Sequence, residues 1–131
     1  MVNKFTNLGF LIVITLILSQ CANKGTTSGG DKDVTPPVII KSTPENFSIN
    51  FDAQEIEIEF DEYVKLKNLQ KQLIISPPMT LEPEITPVGT ASKIIKIKIF
   101  DTLQPNTTYA FNFGESIADN NEGNLFPYYK Y

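Results

Sequence analysis

The chain has 131 residues, with 11 basic side chains, all of them lysine, against 15 acidic ones, and its net charge is −4 at pH 7. An acidic chain is a poor partner for nucleic acid, because the phosphate backbone is recognised mainly by clustered positive charge. The sequence contains no histidine and one cysteine, which excludes imidazole and multi-thiolate metal sites, most pairs of nucleophile and base, and an internal disulfide.

The N-terminal segment has the pattern of a signal peptide. A polar start that carries Lys4 precedes an apolar run from Leu8 to Leu18. This run is shorter than the roughly 20 apolar residues that a membrane-spanning helix requires. We therefore predict that residues 1–20 form a signal peptide that is removed from the mature chain.

The apolar run ends in Leu18-Ser19-Gln20-Cys21, which resembles the lipobox of bacterial lipoproteins. The resemblance implies that the Cys21 thiol receives a diacylglycerol and that the new amine receives an acyl chain such as palmitate, although Gln20 departs from the small residue usual there. The alternative is an ordinary secretory leader followed by a lone buried cysteine. An aspartate directly after the cysteine would resemble an inner-membrane retention signal, but the residue at that position is Ala22. We expect a lipid-anchored protein of the outer membrane, on its periplasmic side rather than the cell surface.

The next segment is poor in large side chains. Residues 21–35 are rich in Gly, Ser and Thr, with Val34 as the one aliphatic side chain larger than alanine, so we predict a flexible tether after Cys21. Pro36 and Pro37 then bias the chain toward extended structure. Removal of residues 1–20 leaves 111 residues (131 − 20), and we predict a single β domain over residues 36–131.

Within this domain, short runs of alternating apolar and polar residues are separated by turn residues. The clearest run, residues 55–60, carries apolar side chains on one face and three glutamates on the other, solvated face. Residues 61–69 read either as one helical turn or as an irregular crossover. About seven short strands without a long helix predict an all-β sandwich. The predicted strands cover residues 38–42, 47–51, 55–60, 72–76, 84–88, 93–100, 108–113 and 125–131.

The segment from Leu103 to Tyr109 has the spacing L-x-P-x-T-x-Y. This spacing is similar to the tyrosine corner that precedes the F strand of fibronectin-type and immunoglobulin-like domains. The resemblance implies that the Tyr109 hydroxyl bonds back to the backbone of its own corner. Pro105 would set the turn and Leu103 would close the end of the core, so we predict a structural role for all three residues.

Several further segments are similar to the bacterial Ig-like domain found near the N-terminus of Bacteroidota-type lipoproteins. The resemblance implies an Ig-like β-sandwich and no catalytic residues. The segments are residues 35–37, 42–46, 57–62, 106–109 and 119–124.

Two short segments invite a more specific interpretation. Residues 119–124 offer several side-chain oxygens, but Gly123 falls one place early for a calcium loop and no bidentate glutamate follows at the required distance. We predict a hydrogen-bonded turn there instead. The sequence Asp101-Thr102-Leu103 resembles an acceptor for O-glycosylation in Bacteroidota-type exported proteins, which makes Thr102 a candidate modification site.

Two functions remain compatible with the sequence. The first is a non-catalytic Ig-like module on a lipid anchor, acting as a spacer, a scaffold or a binding surface for an envelope protein or a polysaccharide, with no cofactor or metal. The alternative is the N-terminal part of a larger envelope protein whose activity lies downstream of Tyr131. Pro127 interrupts the last predicted strand, and we expect this short strand to leave the neighbouring strand 108–113 with unpaired amides and carbonyls beside Phe111 and Phe113.

Overall fold

Short strands dominate residues 29–131, which are the residues that the computed structural model describes. The predicted signal peptide, Cys21 and residues 21–28 of the predicted tether lie outside these residues. No helix in the described range is long and apolar enough to span a membrane. The elements of the range are β1 (Ile39–Thr43), β2 (Glu55–Leu66), α1 (Leu69–Gln72), β3 (Ile74–Ser76), β4 (Glu84–Thr86), β5 (Ser92–Lys98), β6 (Ala110–Asn112) and β7 (Ile117–Asp119).

The strands form two antiparallel sheets around one core. In the first sheet β1, β2, β5 and β4 lie side by side in that order, and β7 pairs with the far end of β2. In the second sheet β3 pairs with β6. Apolar side chains of both sheets share a buried cluster, which confirms the predicted all-β sandwich. The cluster comprises Ile56, Ile58, Phe60, Val64, Ile85, Ile95, Ile97, Ile99, Phe111, Phe113 and Ile117.

The centre of the first sheet follows the alternation of its sequence. Lys96 on β5 lies directly opposite Glu57 on β2, on the face away from the core. The Lys96 ammonium contacts the carboxylate of Glu57 and lies 3.3 Å from that of Glu55. Its hydrogen bonds with Glu57 and then Glu55 raise the pKa of Lys96. A lysine of β5 therefore pairs across the strands with the glutamate face of β2.

Two predicted segments take another conformation. Residues 47–51 do not form a strand, because Phe47 has a φ of 63° and Asn50 a φ of 54°. Left-handed residues cannot continue a β ladder. The ambiguous segment 61–69 extends β2 as far as Leu66, and the helical turn begins only at Leu69.

The chain after β6 forms a broken hairpin, of which the sequence pattern indicated the turn at residues 119–124 but not the strand β7 before it. It turns at Gly114 and continues as β7, and then residues 125–131 return antiparallel to both strands. The Phe111 amide donates to the Tyr131 carbonyl at 2.8 Å, and the Phe113 amide donates to the Tyr129 carbonyl at 2.9 Å. The Tyr131 amide also donates to the Phe111 carbonyl, so the expectation that strand 108–113 has unpaired backbone groups beside Phe111 and Phe113 is wrong. The predicted strand 125–131 is present only as isolated bridges and irregular pairing.

The carboxylate of Asp119 closes this hairpin. One of its oxygens accepts the amides of Glu122 at 2.7 Å and Gly123 at 2.9 Å, and the other accepts the amide of Asn124 at 2.8 Å. Gly123 adopts a φ of 82°, which favours glycine. The predicted hydrogen-bonded turn is confirmed. Burial alone would raise the pKa of Asp119, but the surrounding backbone amides, Gly123 foremost, hold the pKa below its ordinary value.

The first residues of the domain form hydrogen bonds with the turn after Asp119. The Asn124 side-chain amide donates to the carbonyl oxygens of Asp33 at 3.1 Å and Thr35 at 3.2 Å. The amide of Val38 then donates to the Asp61 carboxylate at 2.8 Å, and the Asp61 amide donates back to the Val38 carbonyl at 3.0 Å. The domain therefore holds the chain from Asp33 onward, three residues before the predicted boundary at residue 36.

We predict that Asp119→Asn destabilises the full chain by about 1.5 to 3 kcal/mol at pH 7, because it removes a buried charge that accepts several backbone amides. The pKa of Asp119 is lowered by folding, so its contribution is present above the pKa of an unfolded aspartate, about 3.9, and is lost as the pH falls through the folded value. Urea unfolding should show a constant difference in the free energy of unfolding between variant and wild type near neutral pH. In acid, this difference in free energy should become smaller.

The matched control is Asp52→Asn, since Asp52 is exposed. It should leave the urea midpoint within error of the wild type at every pH. An Asp119→Asn chain as stable as this control would show that the carboxylate does not hold the turn.

Candidate functional site

An open groove of about 680 Å³ lies at one end of the sandwich, between two loops. Residues 46–51 form one wall and residues 103–110 form the other. The side chains of Ile56, Ile99 and Phe111 form the apolar floor, where the core reaches the end of the sheets. Loops carried on a rigid sandwich are a common location for binding sites.

The three predicted corner residues, Leu103, Pro105 and Tyr109, all line the second wall. The hydroxyl of Tyr109 accepts the backbone amide of Gln104 at 3.2 Å, so it bonds back to its own corner. The Thr107 hydroxyl donates to the Pro105 carbonyl at 3.1 Å and closes the turn between them. Local hydrogen bonds therefore fix the shape of this wall.

The first wall is held by the C-terminal segment. The Tyr131 hydroxyl donates to the Pro44 carbonyl at 2.9 Å, and the Asn46 side-chain amide donates to the Lys130 carbonyl at 2.9 Å. Partial burial raises the pKa of the Tyr131 phenol, against an opposing hydrogen bond with Ser48. These hydrogen bonds hold the loop in a conformation that leaves Phe47 91% exposed at the rim of the groove.

The lining of the groove carries little charge. Lys130 is its one charged residue among those that the structure describes. The other polar groups are carboxamides and hydroxyls, which both donate and accept hydrogen bonds without a net charge. They belong to Asn46, Ser48, Asn50, Gln104, Asn106, Thr107, Thr108, Tyr109 and Tyr131.

The groove and the start of the domain lie at opposite ends of the sandwich. The start is bonded to Asn124 in the hairpin turn, whereas the groove is closed by Tyr131 at the open end of the same hairpin. The strand β1 runs between these ends, from Ile39 near the start to Thr43 beside the groove.

A wider depression of about 900 Å³ lies beside α1 and the segment before β4. Its lining includes Lys71 and Glu82, and it carries no exposed aromatic side chain among the described residues. The groove is the better candidate, since anchored loops present an aromatic side chain there.

The remaining predicted site residues are not brought to the groove. Thr102 is exposed outside its lining, beside Asp101, whose carboxylate accepts the amides of Thr80 and Leu81. Cys21 lies outside the described residues. Within residues 29–131 no three side chains of His, Cys, Asp or Glu cluster in a way that could hold a metal ion.

The sequence pattern missed the first wall of the groove. Phe47, Ile49 and Phe51 alternate as in a strand, but the asparagines at positions 46 and 50 are a signal for left-handed turns that could have argued against one.

Comparison with known proteins gave one finding. A family model described as a bacterial Ig-like domain matches residues 33–131, and its first matched residue is the one at which Asn124 begins to hold the chain. No curated protein and no solved structure matches the chain.

We predict that Tyr109→Phe lowers the free energy of unfolding of the full chain by about 1 kcal/mol, because it removes the hydrogen bond from the Gln104 amide. Urea unfolding followed by circular dichroism measures the change. Tyr63→Phe is the matched control, since Tyr63 is exposed on β2. If both variants unfold at the wild-type urea midpoint, the corner hydrogen bond does not stabilise the fold.

Proposed function

The chain belongs to the family of bacterial Ig-like domains, and from this we propose that it is a non-catalytic module of a cell-envelope lipoprotein. In this proposal Cys21 carries the lipid, and the sandwich acts as a spacer or scaffold with a binding surface at its far end. The family gives the fold, and a site must give the function, because one fold serves many functions.

The chemistry of the groove supports a binding role rather than catalysis. General acid–base and nucleophilic catalysis require titratable or activated groups close to the substrate. The sequence has no histidine, and the described lining of the groove offers one lysine among uncharged carboxamides and hydroxyls. Such groups orient a bound molecule without transferring protons to it.

The position of Cys21 is the observation that carries the proposed anchor. It is the only cysteine and directly follows the apolar run that ends at Leu18-Ser19-Gln20. Acyl chains contribute about 0.8 kcal/mol per buried methylene, so several chains on one residue hold a protein stably on a bilayer. The predicted tether between Cys21 and Asp33 would reach about 20 Å if it behaves as a random coil.

This anchor would attach the domain at one end. The chain enters at the hairpin-turn end, where Asn124 bonds to Asp33 and Thr35, so the groove would lie at the end opposite the point of attachment. We propose the outer membrane as the location, with the domain in the periplasm.

We predict that Cys21→Ser abolishes acylation and releases the chain from the membrane fraction of the native host. Mass spectrometry should show the loss of the acyl mass, and fractionation should show the protein in soluble extracts. Ala22→Ser, which keeps the cysteine, is the matched control and should remain acylated and membrane-bound. A Cys21→Ser chain that stays in the membrane fraction, with a wild-type chain that carries no acyl mass, would contradict the proposed anchor.

We also predict that protease added to intact cells leaves the domain undigested, because the outer membrane shields a periplasmic protein. Permeabilised cells, in which the same protease should degrade the domain, provide the control. Digestion in intact cells would place the domain on the cell surface and would leave the lipid anchor unaffected.

A further inference from the structure

Phe47 has two unfavourable features that the fold does not compensate. Its φ of 63° lies in the left-handed region, which a bulky side chain rarely adopts. Its aromatic ring is 91% exposed, so the strained backbone gains no burial in the core. Residues held in such conformations by their surroundings cluster at ligand-binding sites.

Tyr128 offers a comparison within the same domain. It also has a left-handed backbone, with a φ of 58°, and it is 73% exposed. Its hydroxyl donates to the Glu115 carboxylate at 3.1 Å, and its amide donates to the Gly114 carbonyl. These hydrogen bonds stabilise Tyr128 in its left-handed conformation. Phe47 has no polar group on its ring. The Asn46 side chain donates to the Lys130 carbonyl and accepts the Phe47 amide, and so holds Phe47 at the rim of the groove.

The charge of the groove restricts the ligand. An anionic ligand would find one cation, Lys130, on a chain with a net charge of −4. A cationic ligand would find no carboxylate in the described lining. A neutral ligand therefore fits the groove best.

The polar groups of the lining distinguish between neutral ligands. Asn50, Gln104 and Asn106 are exposed in the lining, so their side-chain amides are accessible to a ligand. An apolar peptide side chain would bury these amides without partners, which is unfavourable. Paired hydroxyls would satisfy them, because a carboxamide donates and accepts at the same time.

We propose that the groove binds a neutral saccharide chain, with the exposed Phe47 ring against the C–H face of a sugar and the three carboxamides on its hydroxyls. Phe47 is the determinant of affinity, and the apolar floor of the groove supports the bound sugar. This deepens the proposed binding role and depends on it, but it is independent of the lipid anchor.

The test is an NMR titration of the isotope-labelled full chain in mild detergent. The neutral probes are hexasaccharides of glucose, mannose and xylose, and hexagalacturonate is the acidic counterpart. At least one neutral probe should give saturable shifts confined to residues 46–51 and 103–110, and hexagalacturonate should give none. Phe47→Asn should weaken that binding at least tenfold, while its melting temperature stays equal or rises, because asparagine tolerates a left-handed backbone.

Tyr128→Asn is the matched control, since it replaces a second exposed aromatic residue with a left-handed backbone outside the groove. It should bind the saccharide as the wild type does. No groove shifts with any neutral hexasaccharide, or unchanged affinity in Phe47→Asn, would overturn the proposal. An uncharged apolar peptide that binds there in place of a saccharide would also overturn it, yet would leave the binding role itself intact.

Discussion

The buried carboxylate of Asp119 is the constraint on which the rest of this domain depends. A charge in the interior is tolerated only when hydrogen bonds replace its lost hydration, and here the amides of residues 122–124 do so. The closed turn fixes how residues 125–131 lie along β6 and β7. A shift of one residue in this pairing would move Tyr129 and Tyr131 to the opposite face.

The groove is a consequence of that register. Because Tyr131 lies opposite Phe111, its hydroxyl reaches the carbonyl of Pro44, and the neighbouring carbonyl of Lys130 meets the side chain of Asn46. One wall of the groove therefore depends on contacts between residues far apart in the sequence. The other wall depends on local bonds within the corner that ends at Tyr109. Together they place two firmly held loops above an apolar floor, as ligand sites commonly require.

The sequence predicted those features that depend on local chemistry. Alternation located β2 and β5, and side-chain oxygens with Gly123 located the turn after Asp119. Alternation failed at residues 47–51, because it carries no information on the sign of φ. It also failed at β7, where every residue is buried and no alternation exists. The corner wall of the groove could be predicted from its motif, whereas the groove itself could not, since long-range pairing creates it.

The two ends of the sandwich differ in charge as well as in shape. At the end where the chain enters, burial raises the pKa of Glu62, and the nearby carboxylates of Asp119, Asp61 and Asp33 raise it further. The opposite end, with the groove, carries Lys130 alone among the described charges of its lining. If Cys21 anchors the chain as proposed, the chain enters the domain at its acidic end, and anionic headgroups repel the carboxylates there over about a Debye length. Repulsion at this end would hold the domain off the membrane surface, as far as the tether allows.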